Sequence, residues 1–465
     1  MRSTFQLRAG AVASVFSCLA LLLAGCRSAE RPLHVVIVSI DGFASYYLDD
    51  PRADLPNLRS LAAEGSRARR MEVSFPSLTW TCHTTIVTGV SPARHGIVAN
   101  NFFDRAAGAD VAFIGDAVFG KDDAVRVPTI YDVVRGSGLK TAAVIWPASR
   151  GASTLDWTIP DSRDPEILRK YTTSGLAADL DAAGLPIEPL ARWGWDHAYS
   201  APRDDLYARI AVHLLEKRQP SLLLLHLITP DGVEHDHGPR TAEAYWSVRF
   251  ADERIGEIRR ALERPGLRGQ SALIVVADHG FLPYEREVRL NVILAREGLI
   301  DLDQEKKPAR RRAWAVAAGG AAGVYLLETD PAARAVSERK LAGILEAAEG
   351  VDRVIRPAEF MSLGLPDPRQ DPRQADLMVT AREGYAFAGG TDGDAVTALK
   401  GQRGAHGHLP SHPRMGALFV AWGAGVRKGI VLDQVKAIDV APTAARLLGV
   451  EMPGVEGRVL EEILE

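Results

Sequence analysis

Seven side chains, far apart in this sequence, have the chemistry to act together on an anionic ester. Asp41 closes the apolar run His34-Val-Val-Ile-Val-Ser-Ile, and Asp278 with His279 closes a second, Ala272-Leu-Ile-Val-Val-Ala. Asp231 and His235 stand four apart just past a third run, Ser221 to Ile228. His406 lies in the glycine-rich stretch Gly404-Ala-His-Gly-His408. Carboxylates mixed with imidazoles, without thiolates, suit zinc and also manganese or iron. Six ligands suffice for two cations about 3.5–4 Å apart, the arrangement of two-metal hydrolases. Thr79 is the seventh group, a hydroxyl where an extended segment meets a predicted helix that stops at Gly89. The first N–H groups of a helix favour an anion beside them. A hydroxyl there is a poor nucleophile until its proton is removed. One cation can lower the pKa of that hydroxyl while a second neutralises the leaving oxygen, so no protein general acid is required.

The elements that must position these groups follow from periodicity. Nearly continuous apolar runs over 34–40, 140–146, 221–228 and 272–277 read as strands buried on both faces of a parallel sheet. Open α/β sheets place ligands beyond the carboxyl ends of such strands. Helices are expected over 55–65, 128–134, 204–217, 241–262 and 440–448, and a further strand over 418–422. The alternation predicts an α/β fold, a mostly parallel sheet sandwiched by helices, with a smaller α+β insertion. Residues 34–303 would form the first part of the core, with an insertion at about 147–200. Residues 304–395 would form an α+β cap, and 396–465 the rest of the core. The six ligands are expected on loops over one sheet edge. Gly319-Gly-Ala-Ala-Gly323 lacks the Lys-Ser/Thr of a phosphate-binding loop and is given no nucleotide role. The basic cluster from Lys306 to Arg312 reads as a solvated connection. His213 and His226 fit ordinary helix and strand positions, whereas His83, His95, His237 and His408 read as packing or as support around the ligands.

The chain's start is a separate matter. Arg2 and Arg8 precede an apolar run from Ala11 to Leu23, too short to span a bilayer, that ends in Leu23-Ala-Gly-Cys26. That tetrad resembles the lipobox of bacterial lipoproteins. It implies a signal peptide over 1–25, acylation of Cys26, a tether over 26–33 and a bacterial membrane anchor facing the periplasm. Arg27, in place of an aspartate, favours the outer membrane. Cys18 falls in the leader, so Cys82 is the one free thiol and no intrachain disulfide is expected. Loss of Arg2 and Arg8 takes the net charge from −4 to −6, which argues against a nucleic-acid-binding surface.

Six separated elements occur in order: Asp41-Gly, Thr79 ahead of Ile86-Val-Thr-Gly89, Arg94-His-Gly-Ile-Val-Ala-Asn100, Pro230-Asp231 with His235 and Gly238-Pro239, Asp278-His279-Gly280, and Gly404-Ala-His406-Gly407. Together they resemble the type I phosphodiesterase/nucleotide pyrophosphatase family of the alkaline phosphatase superfamily. The resemblance implies two divalent ions, zinc by preference. Asp231, His235 and His406 would hold one, and Asp41, Asp278 and His279 the other together with the Thr79 oxygen. It implies that Asn100 donates to a phosphoryl oxygen and that a phosphodiester, nucleotide or phospholipid headgroup reacts through a phosphothreonine. Trp80 resembles the ring that stacks on the leaving group. Two departures stand out: Thr81-Cys82 replaces Pro-Asn, and Gly407-His-Leu-Pro replaces Gly-Tyr-Asp-Asn. Trp146-Pro-Ala-Ser-Arg150 occupies the place where threonine-dependent monoesterases carry Lys-Asp-Arg. With Arg150 as its one cationic substrate contact, that segment favours diesters or pyrophosphates over dianionic monoesters. A monoesterase or phosphonoacetate-type hydrolase remains the alternative, and a non-catalytic lipid-anchored binding protein a more distant one. A sulfatase is excluded because Cys82-His-Thr-Thr-Ile lacks the required proline and arginine.

Overall fold

The apolar runs that end in acid form the centre of an eight-stranded sheet. This computed structural model describes residues 34–114 and 119–465; the leader, Cys26 and the tether lie outside the described residues. The strands are β1 (His34–Ile40), β2 (Ser66–Glu72), β3 (Thr141–Val144), β4 (Trp157–Ile159), β5 (Leu222–Leu227), β6 (Ser271–Val276), β7 (Phe419–Gly423) and β8 (Ile430–Lys436). Their order is β8-β2-β7-β6-β1-β5-β3-β4. β1 runs parallel to both β5 and β6, and β3 parallel to β5 and β4. β7 runs against both of its neighbours.

Every residue of β1, β5 and β6 is buried, which is why these runs are mostly Val, Ile and Leu rather than alternating. Helices cover both faces. Those that bear on the site are α1 (Thr79–Thr88), α2 (Ser200–Lys217), α3 (Thr229–His237), α4 (Ala242–Leu262) and α5 (Val440–Leu447). Thr241 caps α4 by accepting from the Ala244 N–H at 3.2 Å. The pair β2 and β8 was not expected. Both lie at the edge with one solvated face, and Arg67, Arg69 and Arg70 in β2 hide its alternation.

A four-stranded antiparallel sheet (Ala313–Ala318, Ala321–Leu326, Leu377–Ala381 and Val351–Ile355) with helix Pro331–Glu346 forms a cap. An apolar cluster joins Phe75, Trp80, Phe102 and Phe113 to Val316, Tyr325 and Met378 of this cap. Arginines hold its margin. Arg126 donates to both oxygens of Asp371, at 2.6 and 3.1 Å. Arg373 donates to the carbonyls of Gly96, Asp123 and Ala124. Arg105 reaches Asp376 at 2.8 Å.

Asp371 is buried and takes two guanidinium donors, so Asp371→Ala should lower the stability of the cap–core junction by about 2 kcal/mol. The measurement is thermal unfolding, and an unshifted midpoint would show that the junction does not depend on this pair.

Candidate active site

Because β1, β5 and β6 are parallel, their carboxyl ends reach one edge, and a candidate ligand follows each. After β1 comes Asp41, then Gly42 at φ +74, whose N–H donates to Asp278 Oδ1 at 3.1 Å. A Cβ at Gly42 would lie 2.6 Å from the Phe281 ring, so the turn requires glycine. After β6 come Asp278 and His279, and the His279 N–H also donates to Asp278 Oδ1, at 3.0 Å. After β5 comes α3, whose start is held by Asp204 of α2. That carboxylate accepts from the Ile228 N–H at 2.9 Å and the Thr229 N–H at 2.8 Å. Asp231 and His235 are therefore helical rather than on a loop, and their spacing of four puts them on one face. Pro230 and Gly232 disguised that helix in the sequence. The strand Val396–Ala405 delivers His406, whose Nδ1 meets the Ser77 carbonyl at 2.9 Å.

The six side chains converge. Nε2 of His235 and Nε2 of His406 are 3.2 Å apart and lie 3.4 and 3.7 Å from Asp231 Oδ1. Nε2 of His279 is 3.3 Å from Asp41 Oδ1 and 3.3 Å from Asp278 Oδ2. The His279 and His406 rings stack with centroids 3.7 Å apart, so the two groups share a wall. Asp41 Oδ1, Asp231 Oδ1, Asp278 Oδ2 and His279 Nε2 are buried without a hydrogen-bond partner. Buried lone pairs facing one another with no donor between them are costly, and divalent ions placed among them would remove that cost. The donor set therefore fits divalent cations: Asp231, His235 and His406, and likewise Asp41, Asp231 and His279, each bring three ligand atoms within 4.8 Å of one another.

The electrostatics agree. Burial, reinforced by Asp231, pushes the Asp41 carboxyl well up; burial and Asp41 do the same to Asp278. Burial pushes His406 down to about 4 and, with His406 nearby, holds His279 low. Neutral imidazoles are the ligand form. Asp231 departs the other way: burial raises it, but His235 and His406 overcome that and hold it low.

Thr79 is the first residue of α1, buried, behind an extended Leu78 that offers no side-chain cap. Asn100 Oδ1 accepts from the Trp80 N–H at 2.9 Å, which leaves the Asn100 amide nitrogen to donate elsewhere. His83 Nδ1 lies 2.8 Å from the Thr79 carbonyl and 3.4 Å from Asp278 Oδ2, linking the α1 backbone to a ligand. Trp80 is buried and stacks on Phe113 at 6.4 Å. Arg150 donates to the Phe119 carbonyl and lies 5.8 Å over the Tyr171 ring. Cys82 is fully buried, with its thiol pushed up by burial and Asp278. His95 braces α1 through Thr85 Oγ1 at 3.0 Å, and Thr85 meets Ser74 Oγ at 2.7 Å.

His226 does more than the strand packing expected of it. Its Nε2 lies 3.0 Å from Asp41 Oδ2 and its Nδ1 3.3 Å from the Ile145 carbonyl. Ile145 sits at φ +57, a costly conformation for a β-branched residue at the edge of a site. With Oδ2 taken by His226, Asp41 Oδ1 is the oxygen left for a cation. The one signal in the sequence was a histidine inside an otherwise all-leucine strand.

The sheet and its ligand edge define an α/β metal-dependent hydrolase scaffold, and comparison places it further. A family model, type I phosphodiesterase / nucleotide pyrophosphatase, matches residues 35–409. The chain belongs to that family. It is 26% identical over 267 residues to a venom phosphodiesterase of Macrovipera lebetinus, covering 57% of this chain and 27% of that protein. It is 27% identical over 274 residues to ectonucleotide pyrophosphatase/phosphodiesterase family member 7 of Mus musculus, covering 57% and 55%. The match thus spans between about a quarter and about half of these relatives' length. Murine ectonucleotide pyrophosphatase/phosphodiesterase 5 shares the fold, with TM-score 0.68 and 20% identity over 93% of this chain and 100% of that one. An inactive variant of that murine protein, in complex with AMP, aligns with TM-score 0.69 and 19% identity over 94% and 100%.

Two outcomes follow from this geometry. His226→Ala should weaken zinc binding about 10- to 100-fold by releasing Asp41, measured by zinc titration of metal-stripped protein; unchanged affinity would show that Asp41 needs no brace. His95 is buried, and burial with Arg126 nearby holds its pKa at about 3. The unfolded chain takes up that proton near 6.5, so the contribution is complete above pH 6.5 and lost as pH falls towards 3. A His95→Gln chain should lose about 1.4 kcal/mol less stability per pH unit across that window, by denaturant unfolding at stepped pH.

Proposed function

We propose that this chain hydrolyses phosphodiester or pyrophosphate bonds through a phosphothreonine at Thr79. The observation that carries the reading is the set of unpartnered ligand atoms on Asp41, Asp231, Asp278 and His279. Asp231, His235 and His406 would hold one divalent ion and Asp41, Asp278 and His279 the other. Zinc is favoured by the donor types, and the pair supplies positive charge that stabilises developing oxygen anions.

The chain's own groups do the rest. Thr79 Oγ1 gives up its proton to solvent, from which the leaving oxygen later takes one, and attacks phosphorus. A P–O bond to threonine forms as the bond to the leaving oxygen breaks, and the electron pair departs with that oxygen. Water then attacks the phosphothreonine, Thr79 Oγ1 leaves and regains a proton, and the net change is addition of water across one P–O bond. Asn100, fixed by the Trp80 N–H, turns its amide nitrogen to a non-bridging oxygen. The start of α1, which has no side-chain cap at Leu78, adds its partial positive charge to the same side.

The engagement of Arg150 by Phe119 and Tyr171 supports a diester or pyrophosphate, since a dianionic monoester calls for more free cationic charge. Relatives that are venom phosphodiesterases point the same way, and the AMP held by the murine structure favours a nucleotide among such substrates. The leader and Cys26 would place the enzyme on the bacterial envelope as a lipoprotein facing the periplasm.

Thr79→Ala should abolish turnover of an aryl phosphodiester, a loss of at least about 10³-fold, while both histidine-bearing ligand groups keep zinc. Turnover retained in that variant would sink the nucleophile. Paired rates on a mono- and a diester with one leaving group would decide between the two substrate classes.

A further inference from the structure

The glycine pair Gly319-Gly320, given no role above, is where the cap meets the His406 segment. It forms the turn between Ala313–Ala318 and Ala321–Leu326. The Gly320 N–H donates to the His406 carbonyl at 2.6 Å. The turn is held on its other side too: the Ala381 N–H of the cap donates to the Gly320 carbonyl at 2.9 Å, and the Phe387 N–H, from the sheet that contains Val396–Ala405, donates to the Gly319 carbonyl at 2.7 Å.

The fit is close. Gly319 sits at φ +61, but Gly320 is not in the left-handed region, so space alone demands glycine there. A Cβ on Gly320 would come within 2.1 Å of His408 Nδ1. On the facing segment, a Cβ on Gly407 would lie 2.6 Å from the Ala318 carbonyl. The His408 ring is buried and neither nitrogen has a hydrogen-bond partner, so packing against this turn holds it in place. Its carbonyl accepts from Ser77 Oγ at 2.7 Å, and the Ser77 carbonyl in turn meets His406 Nδ1 at 2.9 Å. Gly320, His408 and Ser77 thus surround His406, whose carbonyl meets the cap and whose imidazole meets the Thr79 segment. His408 is also one of the departures from the family pattern.

We infer that the Gly319–Gly320 turn of the cap, acting through His408, fixes the orientation of His406 and so sets the affinity of the cation position formed by Asp231, His235 and His406. The inference rests on the proposal above that those three residues hold an ion. Gly320 and His408 are positioning residues and reach no substrate. Orientation of a metal-bound imidazole by its remaining nitrogen and backbone is worth about 10- to 100-fold in affinity.

The test is a double-mutant cycle on the full chain, read by calorimetric titration of zinc into metal-stripped protein. Gly320→Ala should weaken one of the two zinc sites about 10- to 100-fold and leave the other unchanged. In a His408→Ala background, where the obstructing ring is gone, the same substitution should cost less than about 3-fold. Equal costs in the two backgrounds, or no cost in either, would overturn the inference. If Gly320→Ala fails to fold, His408→Ala alone is titrated: weakening of one zinc site about 10- to 100-fold supports the route and unchanged affinity at both overturns it. A wild-type chain that binds no pair of zinc ions would instead remove the two-ion reading itself.

Discussion

Buried atoms on Asp41, Asp231, Asp278 and His279 lack a hydrogen-bond partner where six acid and imidazole side chains converge, and the rest of the structure is arranged around that cost. A carboxylate in such a place must take a proton or meet a cation, and burial with mutual repulsion already pushes Asp41 and Asp278 towards the proton. The outer atoms are saturated instead. His226 takes Asp41 Oδ2, two N–H groups take Asp278 Oδ1, and the Ser77 carbonyl takes His406 Nδ1. Asp41 and Asp278 are thus braced by protein on one oxygen and left without a partner on the other, the division a rigid metal position would need.

Parallel pairing makes this convergence possible at low cost. Three adjacent strands running the same way must end at the same edge, so an acid placed after each needs little further instruction to find the others. This is also why the centre of the molecule was legible from sequence. In β1, β5 and β6 an apolar run switches abruptly to Asp or to Thr-Pro-Asp, and burial on both faces leaves no competing pattern. β2 and β8 lacked that signal because one face of an edge pair is solvated. Helix α3 stands where the sequence predicts a loop, because its stabilising contact, Asp204 at its first N–H groups, comes from α2 and leaves no mark on the α3 sequence. His226 was invisible for the same kind of reason, since a strand sequence does not tell what its side chain meets across the sheet.

The cap could be outlined from composition, but its contacts could not. Arg105, Arg126 and Arg373 belong to no sequence motif, yet they hold the cap to the core through carboxylates and carbonyls. Between them lies an apolar cluster shared by both parts, so the junction combines a non-directional interior with a directional rim.

That construction bears on how the site can behave. His406 is carried by a strand that pairs with Leu282–Val288, touches the nucleophile segment through Ser77, and lies under the cap turn through its own carbonyl. A cap that swung open as a lid would therefore carry away a backbone partner of a ligand, and the ligand position would loosen with it. By linkage, an ion that requires His406 in place also favours the closed junction, by the free energy with which it prefers that arrangement. Cation binding and cap docking would then be one equilibrium seen from two sides.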